Sequence, residues 1–174
     1  MTGKGLPRSL KNRKEKDRDI VRKTLDLTGK TVTVSATGAA IGFGSAEIGD
    51  FAEGNISFKS CVASVGFAGT GSDDNLSDTW SGDFGIGTTA ANDATITGTD
   101  VNIIPSTAIG TATAEVIDAV KATNVTPAIF DNTDGSLEVN LNLLIDAADI
   151  TDDESVEITL SGSVVIEYSV MGNA

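Results

Sequence analysis

Apolar and polar residues alternate more regularly in the last forty residues than anywhere else in the chain. In SLEVNLNLLI (136–145), every second residue is apolar. The same holds over 156–170 except at Gly162, and most positions in between are polar. A period of two places alternate side chains on opposite faces of a strand. The pattern predicts one strand over 137–145. Over 156–170 it predicts either a long half-buried antiparallel strand or two strands joined by a bend near Gly162.

Shorter alternating stretches come earlier in the chain and predict further strands. They cover 31–35, 55–67 and 94–104, with glycine-rich segments between them. The stretch TAEVIDAVKA (113–122) is compatible with another strand or with a short helix. Residues 69–93 are mostly Gly, Ser, Asp and Asn, which is typical of a long loop. Several short strands separated by Gly and Asx turns predict an all-β protein with an antiparallel β-sandwich or jelly-roll-like domain.

Charge divides the chain into two unequal parts. Residues 1–30 hold ten Lys/Arg and four Asp/Glu, a balance of +6, whereas residues 31–174 hold two and twenty-one, a balance of −19. So steep an asymmetry indicates that the N-terminus is an arm. We therefore predict a basic arm over 1–24 and a β-domain over 25–174. No apolar run has the length of a membrane span or a secretory signal, so we expect a soluble protein that is not exported by the usual signal.

The composition argues against catalysis. The chain contains no histidine, and it has one cysteine, Cys61, for which a buried structural thiol is the favoured interpretation. The acidic side chains fall into short clusters, where turns and solvated faces are the favoured interpretation and a Ca²⁺ site is the alternative. These clusters are Asp73, Asp74 and Asp78; Asp131 and Asp134; Asp146 and Asp149; and Asp152, Asp153 and Glu154. None follows a known calcium-loop spacing, so we predict no enzyme activity, no cofactor and no metal.

The C-terminal half resembles a known group of proteins. The residues that carry the resemblance are TPAIFD (126–131), LNLLIDAADI (141–150) and LSGSVVIEYSVMG (160–172), within a similarity that spans roughly 94–174. It is a resemblance to small β-rich virion proteins of tailed bacteriophages, particularly marine and cyanobacterial phages, that decorate or cement the capsid shell. In those proteins a similar Pro/Phe/Asp turn leads into an Asn-containing strand, an Asp/Ala turn and a closing strand.

The resemblance implies a non-enzymatic protein on the outer face of the virion, made in the host cytoplasm. Such proteins usually form homotrimers near threefold positions, where they clamp neighbouring major capsid subunits, and they often use a terminal arm to reach a neighbour. The expected partners are thus the major capsid protein and further copies of this chain, without nucleic acid or membrane. The family has no catalytic set to transfer to this sequence.

The basic arm supplies the candidate contact residues. They are Lys4, Arg8, Lys11, Arg13, Lys14, Lys16, Arg18, Arg22 and Lys23. We expect the arm to bind an acidic protein surface on the capsid. A nucleic-acid tail is a second interpretation, but the interleaved Glu15, Asp17 and Asp19 and the lack of aromatic residues weigh against it. A solvated tail, or a strap across this or a sister subunit, is the third.

Two aromatic residues in the 69–93 segment are weaker candidates. Trp80 and Phe84 are either interface aromatics or anchors of the core. If Trp80 were a stacking platform on an exposed loop, the protein would instead be a glycan-binding or adhesin-like β-module, as in a phage fibre or surface protein. This is the alternative function that the sequence leaves open.

Overall fold

The computed structural model describes residues 20–37, 40–69, 75–151 and 153–171. Within these ranges the protein consists of ten β-strands and one short 3₁₀ turn, Gly98–Asp100, with no α-helix. The strands are β1 (Ile20–Asp26), β2 (Thr31–Ser35), β3 (Gly42–Asp50), β4 (Asn55–Gly69), β5 (Ser81–Gly87), β6 (Ile104–Thr111), β7 (Val116–Asn124), β8 (Ala128–Phe130), β9 (Glu138–Ile145) and β10 (Ser155–Met171). The all-β prediction is confirmed, and residues 116–124 form a strand rather than a helix.

All ten strands belong to one antiparallel sheet. Its main path runs β6, β5, β9, β3, β2, β10, β4, β7, with β1 paired to β10 and β8 paired to β4. The longest strand, β10, is paired along both edges. One edge pairs with β4, and the other pairs first with β2 and then with β1. The C-terminal strand therefore connects the two halves of the sheet.

The predicted 156–170 element is one strand with a local distortion at Gly162. This glycine has a φ of 93°, in the left-handed region that other residues avoid. It lies between the segment of β10 that pairs with β2 and the segment that pairs with β1, and its carbonyl accepts a hydrogen bond from the Leu27 amide at 3.1 Å. A Cβ at this position would stand 2.1 Å from the Ser64 carbonyl oxygen. Gly162 thus allows β4 and β10 to remain closely paired through the distortion.

The sheet curves so that distant strands share one core. Phe67 on β4 and Phe84 on β5 pack with ring centroids 5.5 Å apart, although four strands separate β4 from β5 along the sheet path. Phe51 and Tyr168 make an edge-on contact at 5.1 Å. The contact between Phe67 and Phe84 requires the two halves of the sheet to face each other. The buried apolar residues of both halves form a single cluster.

Strand β9 is covered on both faces, although its sequence alternates. Asn140 and Asn142 lie on the polar side of the pattern but are buried. Asn142 donates from Nδ2 to the carbonyl oxygens of Thr89 (2.9 Å) and Asp100 (2.7 Å), and its Oδ1 accepts from the Ala91 amide (2.8 Å). These bonds hold the 88–103 segment over β9, and they satisfy the buried amide.

Candidate interaction surfaces

The basic arm is described only at its C-terminal end. Seven of its nine candidate residues lie outside the described residues: Lys4, Arg8, Lys11, Arg13, Lys14, Lys16 and Arg18. The other two, Arg22 and Lys23, lie within β1. Since β1 begins at Ile20, the sequence boundary between residues 24 and 25 falls inside a strand. The last part of the predicted arm therefore belongs to the sheet.

Arg22 and Lys23 contact acidic residues of their own chain. The Arg22 guanidinium lies 3.7 Å from the Glu167 carboxylate on β10, which also accepts a hydrogen bond from Ser60 Oγ at 3.2 Å. Lys23 Nζ donates to the backbone carbonyl of Asp50 at 2.7 Å and pairs with the carboxylate of the same residue. The hydrogen bond and the charge of Lys23 lower the pKa of Asp50. Both basic residues thus fix β1 to its neighbours.

The two candidate aromatics lie in the core. Trp80 and Phe84 have no exposed surface in this structure. Trp80 immediately precedes β5, and its indole N–H donates to the Glu115 carbonyl oxygen at 3.0 Å. Phe84, on β5, packs against Phe67 across the core. Neither ring is available at the surface of the described chain, either for an interface or for stacking on a sugar.

The carboxylates of the described acidic clusters accept hydrogen bonds that stabilise turns. Asp134 accepts hydrogen bonds from the side chain and the backbone of Ser136, which lower its pKa. Asp146 and Asp149 both accept from Ser81, which ties the turn after β9 to the start of β5. Among the described residues, no group of three or more His, Cys, Asp or Glu is placed to hold a metal ion. Asp73, Asp74 and Asp152 lie outside the described residues.

Cys61 is a structural thiol. It lies on β4 with no exposed surface, and burial raises its pKa to about 12. A thiol with so high a pKa stays protonated at neutral pH, and the thiolate is the nucleophilic form. Cys61 is therefore not a reactive cysteine in the folded protein, in agreement with the favoured sequence interpretation.

A cleft of about 460 Å³ opens between β6 and β7, the two end strands of the sheet path. Its lining residues are Ile109, Gly110, Thr111, Thr113, Val116, Ile117 and Asp118. Asp118 is the one ionisable side chain in this lining, so the cleft lacks a second charged group with which to orient a polar ligand. We assign it no chemistry.

A further surface feature is an outer sheet face formed by β1, β10, β4 and the collinear pair β7 and β8. Its outward side chains are mostly Ser, Thr, Val and Ile, together with four charged residues: Arg22, Asp26, Glu167 and Lys121. The face includes the Arg22 and Glu167 pair described above. Sequence reasoning missed it, because the β1 residues that complete it were assigned to the arm.

Comparisons with protein-family models, with curated proteins and with solved structures gave no match for this chain. In the part of the chain that the structure describes, no helix has the length and apolar character needed to cross a membrane.

Proposed function

We propose that this protein is a structural virion protein that decorates and cements the outer surface of a phage capsid. It would stabilise the shell by bridging neighbouring major capsid subunits, with the basic arm as its capsid contact. Each copy that binds only the assembled lattice lowers the free energy of that lattice by mass action. The proposal rests on the resemblance of residues 94–174 and on the way the arm joins the body.

The observation that carries the proposal is the anchoring of β1. The basic segment 4–18 leads directly into a strand that pairs over seven residues with β10, from Ile20 opposite Ser169 to Asp26 opposite Ser163. A pull directed along β1 would load its hydrogen bonds to β10 together rather than one after another. Because β10 is also paired with β2 and β4, the load would spread into the whole sheet. A tether to a shell under internal pressure needs such an attachment.

Charge supports the choice of partner. With Arg22 and Lys23 bound to their own chain, the residues left to contact a partner are the seven of segment 4–18. The sequence after residue 30 is strongly acidic, at −19, and would be repelled by nucleic acid. An acidic protein surface is the better match for the arm. As a decoration protein the chain would act as a homo-oligomer, a trimer in the resembling proteins, so that each assembly presents several arms.

For the fold we propose the finer class of antiparallel β-sandwich or jelly-roll-like domain with an extended basic arm. The contact between Phe67 and Phe84, from strands far apart in the sheet, supports two facing layers. The alternative function, a glycan-binding module with Trp80 as its platform, gains no support from the buried position of that residue.

The arm is tested by removing residues 1–19, which leaves β1 complete. Purified capsids that lack this protein are mixed with the full-length chain or the truncated chain, and co-sedimenting protein is quantified. We expect the truncation to lower capsid occupancy at least tenfold while the unfolding midpoint is unchanged. A second variant replaces Lys11, Arg13, Lys14 and Lys16 by Gln, and Lys59→Gln serves as the matched control because Lys59 is an exposed lysine outside the arm. Undiminished occupancy of the truncated chain would reject the proposal.

A gel shift with duplex DNA at moderate salt tests the nucleic-acid interpretation of the arm. We expect weak binding that the truncation does not change. Tight binding that falls steeply with salt and is lost on truncation would favour the nucleic-acid tail.

A further inference from the structure

The outer face of β1, β10, β4 and the collinear pair β7 and β8 is built from cross-strand rows. The registers of these strands place the following side chains side by side, in order from β1 to β7 or β8: Ile20, Ser169, Ser57, Ile129; then Arg22, Glu167, Ser60; then Thr24, Val165, Val62, Thr123; then Asp26, Ser163, Ser64, Lys121. Each of these residues is exposed or half-buried. Together they define what we call the row face.

Two of the four rows read the same from either end. The first is Ile, Ser, Ser, Ile, and the third is Thr, Val, Val, Thr. The fourth has serines in the middle and opposite charges at its ends, Asp26 on β1 and Lys121 on β7. The first and third rows are therefore symmetric in side-chain type about a line that runs between β10 and β4, and the fourth row is antisymmetric in charge. The second row, Arg22, Glu167 and Ser60, does not share this symmetry, nor does the exposed Lys59, which donates from Nζ to Ser57 Oγ at 2.8 Å.

This symmetry fits a second copy of the same face. Consider a two-fold axis that lies in the contact plane and runs parallel to the strands, between β10 and β4. It sets β10 of one copy opposite β4 of the other, and β1 opposite β7 and β8, with the residues of each row facing the same row of the other copy. Thr24 then meets Thr123 of the other copy, Val165 meets Val62, and Ile20 meets Ile129. Asp26 meets Lys121, and the same pair recurs on the other side of the axis. Like side chains meet in the first and third rows, the terminal charges in the fourth row meet with opposite sign, and in the second row Glu167 meets Ser60.

The exposure and shape of the row face agree with sheet-on-sheet packing. Ile20, Val62 and Ile129 are 61%, 50% and 70% exposed in the single chain. Short Ser, Thr and Val side chains let two sheets approach to the usual face-to-face spacing. Glu167 would keep Arg22 and Ser60 as partners within its own chain. Four strands and four rows cover about 500 Å² per copy at standard strand spacings. The total of roughly 1,000 Å² reaches the lower limit for a specific interface.

We propose that the row face is the contact surface of a two-fold symmetric homodimer. The inference does not depend on capsid binding, since it concerns the isolated protein in solution. It favours a two-fold pair over the trimer that the resemblance implies. An interface of this small area predicts a reversible equilibrium that responds to protein concentration.

The first test is the mass of the full-length chain across a concentration series by sedimentation velocity. We expect a shift from one chain to two as concentration rises. Val62→Asp places a carboxylate opposite Val165 of the other copy and should raise the dissociation constant at least tenfold. Ile41→Asp is the control, because it puts the same group on an exposed apolar residue outside the row face. A mass of three chains, a single chain at every concentration, or a dimer indifferent to Val62→Asp would overturn the proposal.

A charge swap tests the orientation of the pair. Lys121→Asp alone and Asp26→Lys alone each set like charges opposite one another, and both should weaken association. The double variant restores opposite charges and should associate within about threefold of the natural chain, as judged by the same sedimentation measurement. Glu138→Lys on β9 makes the same change in net charge as Asp26→Lys and is its control. Failure of the double variant to recover, with circular dichroism showing it folded, would reject the two-fold arrangement.

Cysteine pairs give a readout that does not depend on charge or affinity. Thr24 lies on β1 and Thr123 on β7, three strand spacings away in the sheet. The distance of about 14 Å between them is too long for a disulfide within one chain. The two-fold arrangement brings Thr24 against Thr123 of the other copy. Facing sheets lie about 10 Å apart, which is also too far for a direct disulfide between the copies. The double variant Thr24→Cys, Thr123→Cys should therefore be joined into a covalent dimer by a short bis-maleimide cross-linker, and either single variant should not. Absence of that dimer on non-reducing gels would contradict the inferred geometry.

Discussion

Lys23 on β1 binds Asp50 at the end of β3 through both the backbone carbonyl and the carboxylate. The two strands are not paired with each other in the sheet, so this contact links them through a side chain. Lys30 makes a similar contact, donating from Nζ to the Glu47 carbonyl oxygen at 3.3 Å. Two of the few lysines in the described chain thus hold the edge of β3 beside the first strand.

The pair of Lys23 and Asp50 predicts a small pH dependence of stability. Folding lowers the pKa of Asp50 from 3.8. The Asp50 carboxylate therefore contributes stability that is complete above pH 3.8 and is lost as the pH falls through the lower folded pKa. Because the Asp50 carboxylate is mostly exposed, we expect Asp50→Asn to cost no more than about 1 kcal/mol at pH 7. Urea unfolding at pH 7 and pH 3 measures the difference, which should shrink at pH 3. An equal cost at both values would exclude the ion pair as its source.

Gly162 should be the least replaceable glycine of the central strand pair. Gly162→Ala combines a positive φ with a Cβ 2.1 Å from the Ser64 carbonyl oxygen, so β4 and β10 must separate locally. We expect a loss of at least about 2 kcal/mol in unfolding free energy. Gly110→Ala is the matched control. It has a φ of 81° but no atom within 4 Å of the added Cβ, and it should cost only about 1 kcal/mol. Similar costs for the two variants would show that the close approach is unimportant.

The sequence predicts β10 and β9 well because their period of two is broken only at Gly162 and turn residues flank them. It misses β1, where the adjacent Arg22 and Lys23 make a strand look like part of a charged arm. Only the distant partner β10, which supplies Glu167, makes this segment a strand. Long-range pairing of this kind leaves no signal in a local window.

The sequence around Trp80 and Phe84 contains a strand pattern that the Gly, Ser and Asp content of the segment obscures. Trp80, Phe84 and Ile86 share a period of two, with Gly82 between them, and all three apolar side chains are buried. The surrounding Gly, Ser and Asp residues favoured a loop over 69–93, whereas 81–87 is β5. The 113–122 ambiguity is decided by Ala114 and Glu115, whose positive φ values form the turn before β7 and exclude a helix there.

Asn142 should be a main support of the 88–103 segment. Asn142→Ala removes three hydrogen bonds and leaves the partly buried backbone groups of Thr89, Ala91 and Asp100 without this partner. We expect a loss of about 2 to 3 kcal/mol in unfolding free energy. Faster hydrogen exchange of the Ala91 amide should accompany it. Asn102→Ala, which removes bonds to Thr88 only, should leave that amide protected and cost less. Unchanged exchange at Ala91 in Asn142→Ala would contradict this role.

Cys61 should be unreactive until the protein unfolds. Its pKa of about 12 leaves almost no thiolate at pH 8, and its side chain has no exposed surface. We expect no reaction with a thiol-specific chromogenic reagent in the native state and one equivalent of reaction in guanidinium. Since the folded pKa is raised from 9.0, Cys61 contributes no pH dependence below pH 9, and stability falls as the pH rises above it. Rapid labelling of the native protein would show that β4 opens locally.

Trp80 should report on the core rather than on a ligand. Its buried indole predicts blue-shifted fluorescence that iodide does not quench, and unfolding should shift the emission to the red. Trp80→Phe keeps most of the apolar volume but removes the bond to the Glu115 carbonyl, so we expect a cost of about 1 kcal/mol. Trp80→Ala leaves a cavity and should cost about 3 to 5 kcal/mol. Both effects act through folding. If Trp80→Phe abolished glycan binding without changing the unfolding midpoint, the assignment of Trp80 to the core would be overturned.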